Sequence, residues 1–422
     1  MQYTHGSDPA TQPLQLVYEG SVKRVWQSPA KTDRLWFEFT DDYSVFDWGK
    51  MPDQIANKGR ALAVIGAYIF DRLSKAELWR TLPDSPHLAK FNRAWLNELF
   101  SQAVFSGPQG LVHVGLPNHF RSLTHREGRI SDLIGAVRSP EPLFMEVLAA
   151  RVDRPRLQNI FNHTLYLYNE GQAQTAMEPA ARRLIPLEIV FRFGMPQGSS
   201  LAERLKNDPS YEQELGVKVP PNGGWFAHPV LEFYTKLEPK DRLLSWQEAA
   251  NMSCLSGVQF ASLVELALDT ALALHVLFAD KGIELWDGKF EMVADSGRLL
   301  IADSVGPDEL RLLHKGCHLS KELIRQMYRG TPWEKGLKDA QRLAQMDNTR
   351  TWKQIATEQL RIAPEPLLST FKAIVDKLYG VLANHLLGGE IFADHPGLDA
   401  FVRSLPDLLL SEARAHTAGE GR

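Results

Sequence analysis

Apolar and polar positions change their spacing several times along this chain, and each change predicts a different kind of element. Leu14–Tyr18 and Lys23–Trp26, separated by Glu19-Gly20, read as two strands about a glycine turn; after Ser28-Pro29, Leu35–Phe39 adds an aromatic-rich third. So short a connection suggests antiparallel pairing. From Gly59 the apolar residues Ala61, Leu62, Ile65, Ile69 and Leu73 recur at spacings of three and four, which predicts an amphipathic helix. Further helices are expected around Ala94 to Phe105 and around Pro142 to Val152. The nearly continuous apolar run from Leu184 to Arg192 predicts a buried strand that runs into Gly198-Ser199-Ser200. Another strand is expected at Val230 to Thr235, and one or two helices between Trp246 and Gly282. A hairpin is then expected from Ile283 to Met292 and Leu299 to Ala302, with Asp295-Ser296-Gly297 as its turn. Residues 320–410 are expected to be largely helical, with fraying from Ala413. Strands dominate the first third and mix irregularly with helices afterwards, so the predicted class is α+β rather than a doubly wound sheet.

Composition narrows the function. With 422 residues, 44% hydrophobic and 23% charged, the chain suits two or three domains or one large two-lobed enzyme. A net charge of -4 leaves no cationic excess for general nucleic-acid binding. Two cysteines, Cys254 and Cys317, exclude a disulfide scaffold or a multi-cysteine zinc site and read as reduced thiols. The first residues lack the basic and apolar regions of a secretory signal, and no run approaches about 18 apolar residues, so a cytoplasmic protein with no membrane partner is expected.

Four clusters carry candidate chemistry. Gly20-Ser21-Val22-Lys23 could bring backbone close to a ligand and a lysine to phosphate oxygens, though alone a glycine turn with a surface lysine is the better explanation. Asp41-Asp42-Tyr43-Ser44 through Asp47, followed by Lys58-Gly59, could position a cationic amine or simply cap turns. Arg192 with Gly198-Ser199-Ser200 and Arg204 resembles a phosphate cradle, against the alternative of Ser200 as an ordinary helix cap. The fourth carries most weight. Asp287, Lys289 and Glu291 share one face of a strand, and the hairpin partner brings Asp303 to them; two carboxylates are what Mg²⁺ takes when phosphates complete its shell. A solvated hairpin face would alternate in the same way. Beyond these, no GxxxxGK[ST], GxSxG, HExxH or GxGxxG motif is present, and the histidines show no ligand spacing.

In order along the chain, these segments resemble the SAICAR synthetase family. Leu16-Val-Tyr-Glu-Gly20 with Lys23 is similar to its YEGK-x-K opening, and Gly115-Leu-Pro117-Asn-His-Phe120 to its GIPTHF segment. Ile185-Pro-Leu-Glu188-Ile-Val-Phe-Arg192 with Gly198-Ser199-Ser200 resembles IPLEVVVR…GS. Asp287, Lys289-Phe290-Glu291, Ala302-Asp303 and Pro307-Asp308…Arg311 resemble DFKLEFG, LADE and SPD…R. The resemblance implies a two-lobed, kinase-like α+β fold. Its expected parts are an antiparallel ATP-binding lobe at 14–184 with insertions near 81–110 and 125–183, a substrate- and metal-binding lobe at 185–330, and a C-terminal helical extension at 331–412.

It also implies an ATP-dependent carboxylate–amine ligase that works through an acyl phosphate, with ATP and Mg²⁺ as cofactors. Carried over by position, Gly20, Ser21, Lys23 and Lys58 would bind ATP, and Glu291 and Asp303 would hold Mg²⁺. Lys289, Asp308 and Arg311 would be catalytic. Asp42, Ser44, Arg192, Ser199, Ser200, Lys236, Asp241 and Arg311 would bind substrates, namely a phosphorylated carboxylate and an amino acid. A homo-oligomer is left open. Four departures stand out: Ser21 replaces a lysine, Ser304 the LADE glutamate and Gly306 the SPD serine, and Lys236–Arg242 replaces an asparagine-aspartate-alanine run. The last lies at the substrate end. It points first to a relative joining another carboxylate or amine, then to a true SAICAR synthetase, and third to a catalytically weakened nucleotide-binding protein.

Overall fold

Turn chemistry starts the first sheet. Gly20 closes β1 (Gln15–Glu19) onto β2 (Lys23–Ser28), its N–H donating to the Lys23 carbonyl at 2.8 Å, and β3 (Lys31–Phe39) pairs on the other side. With β4 (Phe120–His125), β5 (Gly128–Arg129) and β6 (Phe144–Leu148) the order is β1-β2-β3-β6-β4-β5, antiparallel throughout. The computed structural model describes residues 13–405 except 127, 131, 162, 169–181, 197–198, 222 and 347–349. Gly198, the fraying expected from Ala413, and parts of 125–183 and 331–412 therefore lie outside the described residues.

The helix expected at Pro142 to Val152 is a strand, β6, and the nearest helix is Leu133–Arg138. Leu143, Phe144, Met145, Val147 and Leu148 are buried on both faces of an interior strand, so their run has no alternation from which to read a period. The range 125–183, expected as an insertion, thus supplies an inner strand of the sheet as well as an exposed hairpin, β7 (Arg156–Ile160) and β8 (His163–Leu167). The helix expected at Ala94 to Phe105 divides into Arg93–Ser101 and Ala103–Ser106.

The second sheet holds β9 (Arg183–Leu184), β10 (Leu187–Met195), β11 (Gly224–Thr235), β12 (Leu243–Leu244), β13 (Glu284–Asp295), β14 (Arg298–Ala302), β15 (Leu310–His314) and β16 (Cys317–His318). The order β12-β11-β10-β13-β15-β16 places β13 inside, and β9 and β14 pair with its far end. Segment Pro117–His119 ties the two sheets together through a parallel bridge between Asn118 and Ile301, with the Ile301 N–H donating to the Pro117 carbonyl at 3.1 Å.

Helix α1 (Lys58–Leu73) starts hard against the end of β3. A Cβ on Gly59 would fall on the Phe39 carbonyl, while the Gly59 N–H donates to Asp41 Oδ1 at 2.9 Å. The expected helix is buried on almost every side, because α1 lies between the first sheet and the C-terminal helix α7 (Ser369–Leu387). Between them in sequence come α2 (Ser200–Asn207), α3 (Trp246–Ser253), α4 (Gly257–Ala279), α5 (Lys321–Tyr328) and α6 (Pro332–Met346). By length and composition α4, one of the helices expected between Trp246 and Gly282, could cross a membrane. It is instead a core helix against β11 and β13, with 72% of its apolar stretch buried.

On α4, His275 sits among Phe91, Phe193 and Trp225, with ring centroids at 5.4, 4.8 and 5.4 Å. Burial, and then the charge of Lys90, lowers its pKa to about 3. The unfolded chain takes up a proton there near pH 6.5, so this contribution is complete above that pH and is lost as pH falls toward 3. Between pH 7.5 and 5 the wild type should lose about 2 kcal/mol more stability than His275→Phe. Urea titrations at both pH values check this; parallel slopes for the two proteins would refute it.

Candidate active site

Alternation along β13 sends Asp287, Lys289 and Glu291 to one face of the second sheet. Register with β10 sets Arg192 beside Asp287 and Val190 beside Lys289. The β13–β14 turn is closed by Ser296 and Gly297, both at positive φ (50° and 84°), as a two-residue hairpin requires. That turn returns the chain so that Ala302 pairs with Glu291 and Asp303 follows directly. Asp303 adopts φ 61°, a left-handed conformation that aspartate tolerates better than most residues, and its carbonyl is held by His119 Nε2 at 2.9 Å.

Lysines surround this acidic pair. Lys23 from β2 ion-pairs with Asp303. Lys236, just past β11, reaches Glu291 at 2.5 Å and Glu188 at 3.6 Å, and Lys289 meets Glu188 at 2.9 Å. Burial opposes the Lys236 charge, but Glu291, Asp303 and Glu188 outweigh it and keep the ammonium protonated. Burial, and then repulsion from Asp303, pushes the Glu291 carboxyl up. Burial alone would raise Asp303 too, yet Lys23 and Lys236 hold it below the ordinary range.

Two cavities meet at these carboxylates. One, of about 660 Å³, lies under the β1–β2 turn and is largely apolar, with Val17, Val25, Phe37, Leu148, Val293 and Ala302 on its walls. The other, of about 320 Å³, is polar and includes Ser44, Asp47, Lys58, Lys289 and Asp308. Ser21, Lys236, Glu291, Asp303 and Asp308 are among the residues that belong to both. An apolar chamber opening onto lysines and paired carboxylates suits a flat apolar ring joined to a polyanion. Among the described residues, no group of three or more His, Cys, Asp or Glu side chains is placed to cage a metal alone. Glu291 and Asp303 instead offer the partial carboxylate set of a phosphate-bound Mg²⁺.

The structure gathers many of the expected site residues here. Ser21, Ser44, Lys58, Lys236, Lys289, Glu291, Asp303 and Asp308 line the polar cavity, and Gly20 and Lys23 line the apolar one. Lys58, fully buried, ion-pairs with Asp308 at 2.8 Å.

Others stand outside both cavities. Asp42 is occupied by Lys50 at 3.0 Å and Gln54 at 2.9 Å. Asp241 stays near enough to the cluster for burial, and then Glu188, to raise its pKa. Arg192 is not a strand-end residue, as expected, but lies within β10, bound to Glu232 at 2.5 Å and Asp287 at 3.4 Å. Asp287 also meets Arg311 at 3.5 Å, so it joins the two arginines. The helix cap is Ser199 rather than Ser200: its hydroxyl accepts the Leu201 N–H at 3.3 Å, and Ser200, the first residue of α2, is exposed.

Sequence reasoning assigned no site role to Glu188, Glu309, Lys321 and Tyr379, and none individually to Tyr43 and Asp47, which stood inside the second cluster; all six line the polar cavity. Glu188 stood inside a motif already singled out, and its place on the Lys289 face follows from strand register. Lys321 and Tyr379 lie on helices far along the chain and carried no local signal.

A family model for SAICAR synthetase matches residues 16–340. The chain belongs to the SAICAR synthetase family. It is therefore an ATP-dependent ligase of the SAICAR synthetase type. A provisionally named phosphoribosylaminoimidazole-succinocarboxamide synthase of Archaeoglobus fulgidus is 30% identical over 397 residues, covering 92% of this chain and 99% of that protein. The Shouchella clausii phosphoribosylaminoimidazole-succinocarboxamide synthase is 25% identical over 316 residues, covering 74% of this chain and 89% of that one. The solved structure of SAICAR synthase from Saccharomyces cerevisiae, complexed with SAICAR, aligns with a TM-score of 0.49 at 17% identity, covering 92% of this chain and 98% of that one.

Proposed function

We propose that the protein is a SAICAR synthetase of purine synthesis, joining aspartate to the carboxylate of a carboxyaminoimidazole ribotide at the expense of ATP. The observation that carries this reading is the meeting of the two cavities at Glu291 and Asp303, with Lys23, Lys236 and Lys289 around them. The family relationship, sustained over nearly the whole length of the Archaeoglobus relative, favours it over a ligase for unrelated substrates.

In this reading the nucleotide base occupies the apolar chamber, and the Gly20-Ser21 turn approaches its phosphates with Lys23. Glu291 and Asp303 would hold Mg²⁺, which would supply neutralisation of phosphate oxygen charge. Lys289 stabilises the transferred phosphoryl group. The substrate carboxylate oxygen attacks the γ-phosphorus, ADP leaves, and the resulting acyl phosphate is attacked by the amine, which loses a proton as phosphate departs. Ser44, Lys58 and Asp308, with Asp42, serve the acceptor end. Arg192 and Arg311, with Ser199 and Ser200, take the ribotide phosphate. Arg311 Nη1 supports this, being buried without a hydrogen-bond partner among the described residues.

Lys236–Arg242 favours a second reading, a ligase with another amine or carboxylate, because the substituted segment places Lys236 on the acidic pair and Asp241 beside it. ADP release, measured with the ribotide and each amino acid in turn, separates the two. Aspartate-dependent turnover is expected; turnover with a different amine only would replace the first reading by the second.

A further inference from the structure

The cavity wall includes a contribution from beyond residue 340, where the family match ends. Tyr379 lies on α7, fully buried against α1, and its hydroxyl donates to Asp308 Oδ1 at 2.6 Å. The other Asp308 oxygen takes Lys58 Nζ at 2.8 Å, and that ammonium stands 5.5 Å from the centre of the Tyr379 ring. Burial, and then the Asp308 charge, raises the Tyr379 pKa well above its ordinary value, so the phenol stays a donor.

The three groups come from three separate parts of the chain. Lys58 opens α1, Asp308 precedes β15, and Tyr379 is on α7. Neither carboxylate oxygen of Asp308 is left without a partner, so its plane is fixed. The same region also holds the segment that leads into α1: Asp376 accepts the Ala56 N–H at 2.8 Å, and Asp53 accepts the Leu367 N–H at 3.3 Å.

We propose that Tyr379 is a positioning residue for the ligase reaction, holding the Asp308–Lys58 pair in its working orientation, and that the C-terminal helix is thereby part of the active site. Its hydroxyl would act through Asp308, which it bonds directly and whose other carboxylate oxygen carries Lys58. Loss of the hydroxyl frees one Asp308 oxygen to turn, and Lys58 with it. Turnover should fall while nucleotide affinity does not, because Tyr379 lines the polar cavity and not the apolar one, although Asp308 borders both, and Lys23 lies on the apolar side.

The test compares Tyr379→Phe with wild type, using whichever carboxylate and amine sustain wild-type ADP release; it rests on the ligase activity of the family and not on the identity of those substrates. The expected result is a kcat lower by about tenfold with the KM for ATP unchanged. A melting temperature and circular dichroism spectrum close to wild type would accompany it. Should Tyr379→Phe be unstable, 4-fluorophenylalanine at position 379 fills the hydroxyl's space without a donor and is compared in its place. 4-Aminophenylalanine, which restores an N–H donor there, should recover most of the lost kcat. A wild-type kcat in the folded donor-less variant overturns the proposal, and so does a loss that the amino variant fails to recover.

Discussion

Asp303→Asn and Glu291→Gln should each lower ADP release by at least about a thousandfold, which corresponds to roughly 4 kcal/mol of lost transition-state stabilisation. Both exchanges keep the side chain's shape and remove one negative charge. Asparagine accepts the φ of 61° at position 303 about as readily as aspartate does, so the backbone there need not move. The two variants should differ in stability. Glu291 is pushed up by burial and by Asp303, so its charge is a cost to the folded protein, and Gln should be neutral or stabilising. Asp303 is held down by Lys23 and Lys236 against burial, so Asn should cost some stability while leaving the fold intact. Melting curves and turnover at saturating Mg²⁺ give both readings. Wild-type rates in the two variants would remove these carboxylates from the metal assignment.

What could be read in the sequence was what local spacing encodes. Period-two alternation put Asp287, Lys289 and Glu291 on one face, and the short hairpin turn brought Asp303 to them. Helical spacing marked α1, although not that both its sides would be covered. Strand β6 was misread because a segment buried on both faces loses the alternation that identifies a strand. The larger losses are contacts between distant parts of the chain. Nothing near Asp308 announces Tyr379, and nothing near Arg192 announces Glu232; both pairs exist because helix packing and strand pairing bring them together. Segment Lys236–Arg242 was read as a departure bearing on substrate alone. Lys236 in fact ion-pairs with Glu291, so that departure touches the acidic centre as well.

Glu232→Gln should destabilise the protein by about 3–5 kcal/mol, because it strands two guanidinium groups around a buried position. Glu232 is almost wholly enclosed. It accepts Arg192 Nε at 2.5 Å and the Tyr211 hydroxyl at 2.6 Å, and Arg204 completes the cluster. Burial would raise its pKa, but Arg192 and Arg204 outweigh that and keep it ionised. The neutral amide accepts one of these bonds and balances neither charge, and Asp287, already shared with Arg311, is left to Arg192. The same change loosens Arg192, so KM for the ribotide should rise while KM for ATP holds. A paired replacement, Arg192→Met with Glu232→Leu, separates structure from binding. Removing the Arg192–Glu232 pair together should restore part of the stability, as apolar substitutes for buried ion pairs commonly do, the rest staying lost at Arg204, which keeps only the Tyr211 and Tyr234 hydroxyls. The ribotide KM should stay high, since the guanidinium itself is gone. If the paired variant bound the ribotide like wild type, Arg192 would be a structural residue alone, and Arg311 would be left to hold the phosphate.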